Sequence, residues 1–106
     1  MMDIKTAHQV ASGEAQAEAK MLESVHGDGY PCGFAWVTSH VKGNTKQGKA
    51  MKSIGFKKSY TGGYQLWNPG GSLVQNVYIK ESACQKYVEI FEKLTGIKLY
   101  VNSRLD

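Results

Sequence analysis

From Gly29 to Lys80 the chain carries no carboxylate at all, although charged residues make up 21% of its 106 positions. The same stretch holds seven lysines, at positions 42, 46, 49, 52, 57, 58 and 80, and no arginine. Residues 1–28 lean the other way: Asp3, Glu14, Glu18, Glu23 and Asp28 against Lys5 and Lys20, a net of −3. Residues 81–106 balance, and the whole chain is +4. A single-sign block of this kind speaks to partners rather than to fold. It also argues against a paired-carboxylate site in the centre of the chain.

Metal-ligating residues are few and badly spaced. The chain has two cysteines, Cys32 and Cys84, and three scattered histidines, His8, His26 and His40. A structural zinc site wants four ligands in closely spaced pairs, and neither a Cys-x-x-Cys nor a His-x-x-x-His is present. The thiols are read as reduced and buried, and no cofactor is expected. The longest apolar stretch, Phe34 to Val37, falls far short of the ~20 residues that span a bilayer, so no membrane partner is expected. Met1-Met2-Asp3-Ile4-Lys5 lacks a charged segment leading into an apolar run, and the expected location is cytoplasmic. Without repeats or a linker, residues 1–106 are expected to form one domain.

The pattern that is present predicts an α+β fold, with a mostly antiparallel sheet of four or five strands and three helices packed on it. Ile4, Ala7, Ala11, Ala15, Leu22 and Val25 recur at helical spacing, with one gap, and predict a helix from Asp3 to about Val25. Cys32 to Val37 reads as a strand buried on both faces. Asn44 or Thr45 caps a helix from Lys46 to Ile54, with Gln47, Ala50, Met51 and Ile54 inward. Gly55 ends it, and Phe56 folds back on Met51. Phe56 to Thr61 and Tyr64 to Trp67 flank Gly62-Gly63 as a hairpin. Asn68-Pro69-Gly70-Gly71 turns the chain into a third strand, Leu73 to Ile79. Ser82 and Gln85 form a capping box for a helix to Thr95. That helix buries Cys84, Tyr87, Val88, Phe91 and Leu94. Ile97, Leu99 and Val101 alternate with polar neighbours as a final strand.

Among candidate sites the lysine-rich centre stands first. Lys42, Lys46, Lys49, Lys52, Lys57 and Lys58 cluster around one helix and the strand after it, with Tyr60, Tyr64 and Trp67 on the adjoining hairpin. Cations with stacking rings are the general recipe for binding single-stranded nucleic acid. The expected function is a small non-enzymatic module binding nucleic acid through this surface. A bland alternative is a solvated basic face over core aromatics. A second is a protein-interaction module with an acidic partner. A third is a small enzyme using Cys32 with His26 or His40, although nothing in their spacing favours a nucleophile–base pair. The glycines make no phosphate-binding fingerprint. The acidic first helix would pair either with the basic centre of a second copy, giving a homodimer, or with its own basic face.

Two resemblances follow from particular residues. Lys49-Ala50-Met51-Lys52-Ser53-Ile54-Gly55-Phe56, Gly62-Gly63-Tyr64, Asn68-Pro69-Gly70-Gly71 and the helix after Ser82 resemble the plan of HicA-type mRNA interferase toxins. That resemblance spans roughly residues 46–97 and implies a double-stranded-RNA-binding-like αβββα fold. The family's catalytic histidine stands just after the glycine-containing turn, where this chain has Tyr64 and Gln65. The resemblance therefore implies RNA or protein binding, not RNA cleavage. Cys32-Gly33-Phe34-Ala35-Trp36-Val37, Gln65-Leu66-Trp67-Asn68-Pro69 and Ser103-Arg104-Leu105-Asp106 are similar to stretches of short bacteriophage-encoded proteins. That resemblance implies a binder or inhibitor of host machinery, acting in the host cytoplasm.

Overall fold

The computed structural model describes residues 2–26, 31–59, 63–72 and 76–105, apart from the His26 side chain. Among them the chain forms α1 (Ile4–His26), β1 (Gly33–Ser39), α2 (Lys46–Ser53), β2 (Lys57–Lys58), β3 (Tyr64–Trp67), α3 (Val77–Thr95) and β4 (Tyr100–Leu105). The strands build one antiparallel sheet in the order β2-β3-β1-β4. The fold is α+β, as the pattern predicts, with three helices and four strands among the described residues.

The core lies between the helices and one face of the sheet. Ala35 and Val37 of β1 meet Met51, Phe56, Ile79, Tyr87 and Phe91 there. On α1, Asp3 accepts the Thr6 N–H at 2.7 Å, which lowers the Asp3 carboxyl below its ordinary value and caps the helix. Ala7, Ala11, Ala15, Ala19 and Leu22 form its buried stripe, Ala19 filling the gap in the sequence pattern. Val25, predicted on the same stripe, is 69% exposed. It sits in the final turn, beyond the bond from the Ser72 hydroxyl to Glu23. The alanines let α1 and α3 approach closely and antiparallel. The Met2 N–H donates to the Leu94 carbonyl at 3.0 Å, and His8 Nδ1 lies 2.7 Å from the Tyr87 hydroxyl. Burial pushes the His8 imidazole pKa down and the Tyr87 phenol pKa up.

Five further expectations are corrected. Val77, Tyr78 and Ile79 open α3 instead of ending a third strand, and Leu73 to Gln75 lie outside the described residues. The Asn76 side chain accepts the Ile79 N–H, so the helix is capped there and Ser82 lies inside it. β-propensity at 77–79 gives way to burial in a helix, with Val77 beside Gly33 of β1 and Ile79 in the core. β1 is buried on one face only, its residues alternating between buried and half-buried. Gln47, predicted inward, is exposed, and Gly48 is buried in its place. The final strand begins at Tyr100, and Ile97 and Leu99 are buried just ahead of it.

The ends of α2 are as the sequence predicts. Thr45 caps its start, its hydroxyl accepting the Gly48 N–H at 3.0 Å. Gly55, at φ 117°, ends it. The Gly55 N–H donates to the Lys52 carbonyl and the Phe56 N–H to the Met51 carbonyl, which together are the Schellman ending.

Two helical glycines then make opposite predictions. A Cβ on Gly13 would meet nothing within 4 Å, so Gly13→Ala should raise stability by about 0.5–1 kcal/mol through chain entropy. A Cβ on Gly48 would run into the Lys42 carbonyl and the Gly43 backbone. There the steric cost, about 1–3 kcal/mol for overpacking, exceeds the helix gain, and Gly48→Ala should destabilise. Urea melts of both variants check the signs.

Candidate nucleic-acid interface

The six lysines singled out in the sequence are all exposed: Lys42 in the loop before α2, Lys46, Lys49 and Lys52 on α2, and Lys57 and Lys58 on β2. Lys46, Lys49 and Lys52 recur every three residues and so form one ridge along the helix. The loop ahead of them is held by Thr45, whose N–H and hydroxyl both donate to the Lys42 carbonyl, at 3.2 and 2.6 Å. Lys52 Nζ sits 5.8 Å from the centre of the Tyr64 ring, and the Tyr64 hydroxyl packs against Gly43. Tyr64 therefore belongs to the lysine cluster.

The register divides the rest of the predicted set. Residues directly opposite in an antiparallel pair point to the same face. Val37 opposes Leu66, and Ser39 opposes Tyr64, which opposes Lys58. These side chains point to the helix side. Trp36 opposes Trp67, and Thr38 opposes Gln65, which opposes Lys57. These point to the other side. Trp67 is thus separated from Tyr64 by the thickness of the sheet, and Lys57 joins Trp67. Tyr60 lies outside the described residues.

No described element packs on that outer face. Beside Trp67 it collects three rings that the sequence analysis does not single out, Phe34, Trp36 and Tyr100. Trp67 is 48% exposed and Tyr100 44%, while Phe34 and Trp36 are half-buried. The Trp36 and Trp67 centroids are 5.0 Å apart at 42°. Phe34 meets Trp67 edge-on at 6.1 Å and 88°. At the β4 side His40 lies 5.3 Å from Tyr100. Cations surround the rings: Arg104 Cζ and Lys80 Nζ each lie 5.5 Å from the Phe34 centre, and Lys98 Nζ lies 5.9 Å from that of Tyr100. Lys80 is itself buried and donates to the Gly33 carbonyl at 3.2 Å. The signal for this face is the alternation 34-36-38 and 98-100-102-104, which is hidden if Cys32 to Val37 is taken as buried on both sides.

Of the residues named for catalysis, the described pair Cys32 and His40 does not converge, and the His26 side chain lies outside the described residues. Cys32, expected to be buried, is instead exposed ahead of β1, and His40 follows its far end. They are separated by the length of the strand, about 25 Å at ~3.3 Å per residue. The Cys84 thiol is buried and pushed up to about 12 by desolvation and the nearby Glu81 carboxylate, which keeps it protonated and unreactive. No group of three His, Cys, Asp or Glu among the described residues is placed to hold a metal ion. No described helix is long and apolar enough to cross a membrane.

Compared with protein-family models, with curated proteins and with solved structures, the chain matches none.

Proposed function

We propose that the chain is a non-enzymatic nucleic-acid-binding module. The observation that carries this reading is the exposed ridge Lys46–Lys49–Lys52, with Lys42 ahead of it and Lys58 on the same side of the sheet, in a stretch without a carboxylate; Lys57 adds its charge on the other face. Phosphates along a strand attract such a ridge without sequence readout, and each one neutralised releases counterions. Long lysine side chains bring charge but no fixed fork geometry, which suits contact with backbone rather than with base edges. A protein-interaction module with an acidic partner would use the same charge. Its contact surface would include exposed aromatics such as the rings that the sheet presents beside Lys57, and the titration below separates the two readings.

The test is a binding titration of the purified chain against a single-stranded oligonucleotide at several salt concentrations. With all six lysines engaged, log affinity falls against log salt with a slope no steeper than about −4, at ~0.7 per phosphate for a single strand. A slope between about −1.5 and −3 is expected, corresponding to two to four phosphate contacts. Absence of binding at low salt would leave the lysines as a solvated face.

A further inference from the structure

We infer that the face of the sheet on which no described element packs is a stacking platform for unpaired bases, so that the ligand is single-stranded nucleic acid rather than duplex. This inference rests on the nucleic-acid reading above and adds a second surface to it. A base offers a flat apolar face and comes attached to a phosphate. The outer face offers both complements. Trp67 and Tyr100 are large rings left roughly half open to solvent, and base–aromatic stacking tolerates any sequence.

The rings form two stations. One is Trp36 with Trp67, held at 5.0 Å and braced edge-on by Phe34. The other is Tyr100 with His40. Asn102 opposes Trp36 across the β1–β4 pair, so Tyr100 lies one diagonal step from Trp36, about 7–8 Å away. Two bases of one strand can therefore be held side by side. In a duplex the same bases are paired and stacked inside the helix, out of reach of a flat sheet.

Charge selects this occupant over a second copy of the chain. Lys57 borders the first station, Arg104 opposes Phe34, and Lys98 lies over Tyr100. The described residues of β1–β4 that point outward include no carboxylate. Two such faces brought together would repel, whereas a phosphate chain is attracted. The contact of Lys98 with Tyr100 is at an exposed site and weak, so an incoming base displaces it easily.

The experiment uses a uridine decamer, a thymidine decamer and a hairpin duplex of the same length. The chain has two tryptophans, Trp36 and Trp67, both on this face, so intrinsic emission reports on the platform without a label. Both single strands should change that emission on binding, and the duplex should bind more weakly than either. Trp67→Ala, at an exposed position, should weaken single-strand binding about tenfold or more while leaving the salt slope unchanged. Tyr100→Ala should do the same at the second station, and far-UV circular dichroism checks that both variants fold. If both variants fold and bind single strands as tightly as the wild-type chain, the platform is overturned and the lysines carry binding alone. Equal binding of duplex and single strand, without a change in emission, overturns it too. If the wild-type chain binds none of the three probes at low salt, this inference and the nucleic-acid reading fall together.

Discussion

Phe91→Ala is expected to lower stability by about 3–5 kcal/mol, the upper range for removing a buried aromatic ring. Phe91 is fully buried and stacks on Tyr87, with centroids 5.6 Å apart at 14°. The pairings of His8 with Tyr87 and of Met2 with Leu94 place Phe91 within the stretch of α3 that faces α1. Between Met2 and His8 the inward residues of α1 are the fully buried Ala7 and the partly buried Ile4. Alanine has no side-chain rotamers with which to close a hole, and the cavity term grows when the site cannot collapse. A chain of this size has about 5–15 kcal/mol of net stability, so the loss is a large share of the total. Chemical denaturation gives the number. A cost below about 1.5 kcal/mol would mean that α1 and α3 are not packed as tightly as the alanine stripe implies.

The helices and their ends are legible in the sequence where local chemistry and burial agree. Thr45, Gly55 and Phe56 bound α2 as expected, because an N-cap oxygen and a left-handed glycine act within a few residues. The α1 stripe is legible for the same reason, its 3.6-residue period being a property of the helix itself. The start of α3 is not. Val77, Tyr78 and Ile79 have strand propensities, and only tertiary burial of Val77 and Ile79 makes them helical. With that stretch taken as strand, Ser82 reads as a cap and Asn76 does not.

The candidate site is half legible. The lysine ridge is visible in the sequence because exposure of lysine is the default and α2 fixes the spacing. That Tyr64 and Trp67 fall on opposite faces follows from the two-residue period of a strand, but which rings of other strands join each of them depends on register. Shifting a strand by one residue sends every side chain to the other face, and no local feature reveals that Trp67 opposes Trp36 while Tyr64 opposes Ser39. The outer platform, assembled from β1, β3 and β4, therefore emerges only with the sheet.

The second large effect expected is on affinity, from Lys49→Glu combined with Lys52→Glu. Both side chains are exposed on α2, so the fold should survive the exchange. Each reversal turns one attraction to a phosphate into a repulsion. At about 0.5–1 kcal/mol per unit charge at an exposed site, four units of change amount to about 2–4 kcal/mol, or roughly thirtyfold to a thousandfold in affinity at low salt. A matched control, Lys20→Glu with Lys86→Glu, alters net charge equally on α1 and α3, away from the ridge. The deciding measurement is the dissociation constant of the three chains for one single-stranded oligonucleotide at the same low ionic strength. The account predicts that the α2 pair loses at least thirtyfold while the control loses only a few-fold. Equal losses in both variants, or none in the α2 pair, would contradict it.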